Sequence, residues 1–281
     1  MGRKTEISNL LARLPRLGVG VSYRSRYQDQ LYRYQPHIDF VEVVADDYLF
    51  APADKLEELA RLTEHFTVIP HALNLSLGSA EGVNDEYLEE IARLIKALHP
   101  PWWSEHIGYT RAGGIGIGKP APLPFTREAI DVVARNMVTV RRKIAAPVIL
   151  ENVDHRFSIP GGEMPEKEFV NEVLGWGGCG MLLDVNSFIN QEVVGGRDPY
   201  ASLRELPLDR IVQLHVHDGA DDRQPSVVDQ DEVWKLLKEV IEAAPVRGVV
   251  FEQNENSSSV DSIIERVARA REIGQRNNRW N

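Results

Sequence analysis

The chain has 281 residues, 43% hydrophobic and 26% charged, the proportions of a soluble globular protein with length for one large domain or two small ones. With 32 basic against 42 acidic residues the net charge is −10, which argues against a surface built to neutralise nucleic-acid phosphates. A single cysteine, Cys179, excludes an intrachain disulfide and a cysteine-cluster metal site, and fits a reducing compartment.

The N-terminal stretch MGRKTEISNLLARLPRLG has no uninterrupted apolar core of the secretory kind. No segment approaches the ~20 apolar residues of a membrane span, so a cytoplasmic location without a membrane or nucleic-acid partner is expected. After this extension, over 1–16, come the apolar run LGVGVS (17–22) and the run IDFVEVV (38–44). A helical stretch at 54–64 leads to TVIPHALN (67–74). The clearest helix follows at 84–98, where Leu88, Ile91, Leu94, Ile95 and Leu98 form an apolar stripe behind an Asn84 or Asp85 cap. WWSEHIGY (102–109) comes next, then a helix at 126–143 with Thr126 as cap and Glu128 in its first turn. PVILEN (147–152), a helix at 165–175, GMLLDVN (180–186), IVQLHVH (211–217), a helix at 231–243, RGVVFEQ (247–253) and a helix at 259–273 complete the series.

Strands alternating with helices predict parallel pairing through right-handed crossovers. Eight such units in about 250 residues predict an α/β fold of the (β/α)8 TIM-barrel type, with a doubly wound open sheet as the alternative. No composition break divides the chain, so one barrel domain is expected over 1–281, with a frayed tail at 275–281.

Polar residues stand at the ends of successive apolar runs: Glu42, His71, Glu105 with His106, Glu151, Asp184, His215 and Glu252. A lone histidine in a strand is more often a hydrogen-bonded rim residue, and a lone glutamate a solvated one. Their recurrence on strand after strand is different, because strand ends converge at one barrel mouth and carboxylates buried together require cations. Imidazoles and carboxylates facing one cavity suit Fe, Mn or Zn.

The segments HALNLSLGS (71–79), WWSEHIGY (102–109), PLPFTREAI (122–130), VILENV (148–153), MLLDVNSF (181–188), IVQLHVH (211–217), DEVWKLL (231–237) and VVFEQ (249–253) together resemble the DUF692 family, as does VEVVADDY (41–48). These are multinuclear non-haem iron-dependent oxidative enzymes (MNIO) of the xylose-isomerase-like TIM-barrel superfamily. The resemblance implies an oxidoreductase that uses Fe(II)/Fe(III) and O2 as co-substrate in the biosynthesis of ribosomally made peptides (RiPPs). It implies a precursor peptide as substrate, often modified at cysteine, and a partner protein that presents the leader. The wider superfamily includes apurinic endonucleases with three metals, whose ligand order maps onto His71, His106, Glu151, Asp184, His215, Asp229 and Glu252. Two of the superfamily's histidines are missing here: Ser187 and Asp231 stand in their places, and EVVGGRDP (192–199) replaces an expected Asn-His-Gly. Both losses fall on the third metal, so two tightly held ions are expected, with Glu151 bridging them. His71 and His106 would complete one side, and Asp184, His215 and Glu252 the other. His217 or Asp218 could stand in for the missing imidazoles only in part. Glu105, Asn152 and Asn186, adjacent in sequence to the ligands, are the candidate catalytic residues; both asparagines equally suit turns.

GGIGIGKP (113–120) nearly matches a phosphate-binding loop, but Pro120 replaces the metal-binding hydroxyl and no helix follows, so it reads as a flexible loop able to cover the mouth. His155 and Arg156 could meet an anionic substrate, against plain surface exposure. Trp102 and Trp103 read as wall packing and Cys179 as a small buried hydrophobe. Against the oxidase stand a redox-silent two-metal enzyme, either a sugar isomerase or epimerase or a phosphodiesterase, and a degenerate member that only binds.

Overall fold

Eight parallel strands close into a barrel in the computed structural model, which describes residues 2–155, 160–217, 226–252 and 260–280. In chain order the strands are β1 (Gly18–Ser22), β2 (Phe40–Val44), β3 (Thr67–His71), β4 (Trp103–His106), the hairpin pair β5 (Gly108–Ala112) and β6 (Ile115–Pro122), then β7 (Val148–Glu151), β8 (Gly180–Asp184), β9 (Ile211–His217) and β10 (Gly248–Glu252). The ring runs β1-β10-β9-β8-β7-β4-β3-β2. The helices are α1 (Gly2–Ala12), α2 (Gln28–Arg33), α3 (Ala53–His65), α4 (Asp85–Leu98), α5 (Arg127–Lys143), α6 (Glu166–Gly177), α7 (Val185–Val194), α8 (Pro199–Leu203), α9 (Gln230–Ala243) and α10 (Val260–Arg276). Asn84 caps α4 by accepting from Tyr87 N, and Thr126 caps α5 by accepting from Ala129 N. No described helix is long and apolar enough to cross a membrane.

Alternation along the strands produces two layers inside the barrel. Phe40, Ile69, Trp102, Ile149, Leu182, Val212 and Val250 form an apolar floor, which Ile7, Leu11 and Leu14 from α1 and the turn after it close from below. Two residues further along, Glu42, His71, Glu151, Asp184 and Glu252 share that inward face. Neighbours of opposite phase, such as Val41, Val68, Leu150, Leu183 and Val249, pack outward into the cluster formed with the helices. The sequence extension at 1–16 is thus the plug of the barrel bottom.

Space for the two large floor residues comes from glycines. A Cβ on Gly20 would lie 2.5 Å from the Phe40 carbonyl oxygen, and one on Gly248 would lie 2.9 Å from the Phe40 ring. β9 departs from regular pairing: Met181 pairs with Ile211 but Leu182 with Gln213. This bulge adds a residue to β9. It lets Gln213, and with it His215 and His217, follow Val212 on the inner face.

Three expectations need correction. The segment 113–120 is not an irregular loop but the turn and second strand of the β5–β6 hairpin, with Gly113 and Gly114 at φ 61° and 73°, as a primed two-residue turn requires. The run 180–186 ends as a strand at Asp184, whose carboxylate accepts from Ser187 N at 3.0 Å and so starts α7. The C-terminal tail is not frayed. Trp280 is 5% exposed, packs on Gly274 and donates from its indole to the Arg271 carbonyl at 3.1 Å. Arg279 donates to the carbonyls of Ile241 and Glu242, tying the tail to the end of α9. Arg156, Asp218 and Gln253 lie outside the described residues.

Because Trp280 fills a site that collapse cannot refill, Trp280→Ala should lower unfolding free energy by about 3 kcal/mol or more, measured by urea denaturation. A loss under about 0.5 kcal/mol would return the tail to a passive role.

Candidate metal centre

The inward polar layer brings side chains from six strands together. His71 on β3, His106 on β4 and Glu151 on β7 form one group whose donor atoms all lie within 4.8 Å of one another; Glu42 on β2, His215 on β9 and Glu252 on β10 form a second. Metal–ligand bonds of ~2.0–2.2 Å place donors of one ion at about that spacing.

Glu151 stands between the groups. Its Oε2 is 3.4 Å from His71 Nε2 and 3.2 Å from His106 Nε2, while its Oε1 is 3.1 Å from His215 Nδ1. Glu151 Oε2 is buried and has no hydrogen-bond partner. An orphaned carboxylate oxygen facing two imidazole nitrogens is costly unless a cation completes it. The residues therefore fit a metal.

Each imidazole is held from behind. Ser104 Oγ lies 2.8 Å from His71 Nδ1. Glu105 is buried behind His106: it accepts from Leu75 N at 2.9 Å and from His106 N at 2.7 Å, and its Oε1 lies 3.5 Å from His106 Nδ1. It faces the chain rather than the mouth, so its place is that of a support for His106 and not of a free acid or base. His215 Nε2 is 2.8 Å from Glu42 Oε1, and Gln213 donates to Glu42 Oε2 while its own Oε1 accepts from Trp102 Nε1 at 2.7 Å.

The electrostatics follow from burial against these partners. Burial opposes a charge on His215, but Glu42, Glu252 and Glu151 outweigh it and hold its pKa well above the ordinary value. Burial and the neighbouring His106 and His215 push His71 well below its usual value, leaving it neutral and fit to ligate. Burial raises Glu42.

Asp184 belongs to neither donor group. Its Oδ2 accepts from Ser187 Oγ at 2.6 Å and lies 2.9 Å from His217 Nε2, and His217 Nδ1 is 3.3 Å from Glu252 Oε2. Burial works against the proton on His217, yet Asp184 and Glu252 raise its pKa to about 10. Asn152 Oδ1 accepts from Asp184 N at 2.9 Å and Asn186 Oδ1 from His217 N at 2.9 Å, so both amides clasp backbone beside the site. Asp229 is exposed and caps α9 by accepting from Glu232 N at 2.9 Å; it and the exposed Asp231 stand outside both groups.

The expected ligands thus come together except Asp184, which is one residue pair away, and Asp229, which is apart. Sequence reasoning passed over Glu42 as a member of the second group, although it stands in the same strand-end series. Gln213 was also passed over, and His217 was considered only as a partial stand-in for the missing imidazoles. Their signal was the alternation through His215, two residues to either side.

Residues 18–275 match the family described as RiPP precursor modification enzyme MbnB/TglH/ChrH. A UPF0276 protein of Acinetobacter baylyi is 30% identical over 249 residues, covering 86% of each chain. One from Anaeromyxobacter is 29% identical over 263 residues, 92% of this chain and 93% of its own. In structure the chain is similar to 3-keto-D-glucoside 4-epimerase YcjR from E. coli, with a TM-score of 0.59 at 12% identity over 91% of this chain and 99% of that one. It is also similar to D-psicose 3-epimerase from Clostridium cellulolyticum, with a TM-score of 0.54 at 14% identity over 93% and 96%. At such identities the likeness shows the barrel architecture alone. On the sequence match over nearly its whole length, the chain belongs to the MbnB/TglH/ChrH family of RiPP precursor modification enzymes.

Proposed function

We propose that the protein is an iron- and O2-dependent oxidase acting on a ribosomally made precursor peptide at cysteine or a neighbouring residue, with a separate protein presenting the leader. The observation that supports this reading is Glu151, whose two carboxylate oxygens face different donor groups, one toward His71 and His106 and one toward His215. A carboxylate so placed could serve ions held by both donor groups. Iron held there supplies one-electron chemistry between Fe(II) and Fe(III) and the activation of O2.

The chain's own residues do the rest. Ser104 and Glu42 hold the rings of His71 and His215, so that their other nitrogens stay aimed inward, and Glu105 holds the His106 backbone beside its ring. The apolar floor of Phe40, Ile69 and Trp102 keeps water from reaching the groups from below. His217, partly open at the mouth, keeps a proton between Asp184 Oδ2 and Glu252 Oε2. It stands where a third ion's ligands would be expected, and Asp229 is engaged at a helix cap, which supports two ions rather than three.

Protein purified without oxygen should carry iron at about two equivalents per chain, with an optical spectrum that changes on exposure to O2. Stoichiometric zinc or manganese with a silent spectrum would instead point to the redox-silent reading. Glu151→Ala should empty both positions together while Asp229→Ala leaves both filled, as read by elemental analysis; loss of one ion only would break the bridge assignment.

Asn186 touches the backbone of His217 rather than a candidate ligand atom. Asn186→Ala should therefore lower peptide turnover by roughly tenfold while retaining most of the metal. Parallel loss of both would make it a structural clasp only.

A further inference from the structure

We propose that the recess at the C-terminal ends of β1 and β2 is a carboxylate-binding pocket in which Arg24 holds an acidic group of the substrate at the rim of the metal centre. The nature of the ligand rests on the peptide-modifying reading above; the pocket rests on the fold.

β1 lies between β10 and β2, with Val21 paired to Phe251 and Ser22 to Glu42. Tyr23 and Arg24 therefore leave the wall between the strand that carries Glu252 and the strand that carries Glu42. A cavity of about 590 Å³ opens there, bordered by Arg24, Arg26 and Lys55 against a single acid, Asp47. A positive rim on a chain of net charge −10 is a local inversion that draws anions inward.

The cations are not equivalent. Lys55 Nζ is bonded to Glu58 at 2.7 Å and to Ser25 Oγ at 2.6 Å, and the Arg26 guanidinium lies over the Tyr27 ring. Arg24 is half-buried, and its guanidinium makes no hydrogen bond or ion pair among the described residues. A guanidinium presents five donors in a planar fork that matches a carboxylate, and desolvating it without an acceptor is unfavourable. Arg24 follows Ser22 by two residues, and Ser22 is paired to Glu42, so its side chain starts at the rim of the donor layer. Beside Arg24 the buried Tyr23 lines the same pocket.

The cavity of about 820 Å³ between α6 and α7 offers no such site. Its cations Lys167 and Arg197 are both bonded to the buried Glu192, at 2.7 and 2.6 Å, and its His155 faces Glu166 at 3.8 Å.

A peptide brings carboxylates from acidic side chains or from its C-terminus. Three cysteine-free probes separate these sources from each other and from turnover: Ac-Gly-Ser-Gly-Asp-Gly-Gly-NH2, its Asn counterpart, and that Asn peptide with a free C-terminal acid. Isothermal titration into the metal-loaded wild-type protein should show one acidic probe binding about tenfold more tightly than the neutral one, the increment of a charge-assisted bidentate pair. Arg24→Gln should abolish that preference and Arg24→Lys should retain part of it, with near-UV circular dichroism as the folding check. Equal or absent binding of acidic and neutral probes to the wild-type protein overturns the pocket, whatever the protein does to peptides. A preference that survives Arg24→Gln overturns the role of Arg24. Should iron or peptide turnover prove absent while the preference persists, the proposed reaction fails and the pocket stands.

Discussion

The interior of this barrel depends on how negative charge at its mouth is balanced. Glu42, Glu151, Asp184 and Glu252 converge on one space, and each is largely removed from water or shares a contact with a group that is. Carboxylates in that position repel one another and lack solvation, so they persist only where imidazole protons or metal ions lie between them. His215 lies between Glu42 on one side and Glu151 and Glu252 on the other, and His217 separates Asp184 from Glu252. His71 and His106 face the free oxygen of Glu151 without completing a hydrogen bond to it, so there the balance calls for a cation. The supporting shell of Ser104, Glu105, Gln213, Asn152 and Asn186 keeps these groups aligned, because a small rotation of one ring would leave a carboxylate without its partner.

That balance needs a dry floor and an unobstructed wall. Phe40 and Trp102 supply the floor because Gly20 and Gly248 give way to them. β1 supplies the gap in the wall. Its inward positions are Gly18, Gly20 and Ser22, so nothing bulky stands between Glu42 on β2 and Glu252 on β10. The one barrel strand without a metal-type residue at its end is thus the one that lets ligands from its two neighbours meet His215.

Much of this was legible in the sequence. Parallel strands buried on both faces read as apolar runs, and all eight barrel strands stood out in that way. The donor layer was legible because one polar residue recurred at the end of run after run. The division into two groups was not, since Glu42 and His215 meet across the interior and chain order carries no record of distance across a ring. Superfamily order favoured Asp184 in that place, and only the geometry pairs it with His217. The hairpin was hidden by its glycines and exposed isoleucines, which weaken a strand pattern, although Gly113–Gly114 carried the turn signal. Trp280 was hidden because one aromatic residue in a polar tail has no periodicity to declare it.

The bulge in β9 has a consequence for how such barrels change. Strand alternation has two phases only, and the bulge, where Val212 and Gln213 face the same way, selects for this run of residues the one that turns histidines inward. Straightening the strand there with every residue kept would present Leu214 and Val216 to the mouth, with His215 and His217 turned toward the helices, whereas deleting the extra residue would leave the histidines inward. The ladder could remain whole while the polar chamber became an apolar plug. In this architecture the step between a barrel able to bind metal and an inert one can be a change of pairing within one strand, invisible to any comparison that scores only which side chains are present.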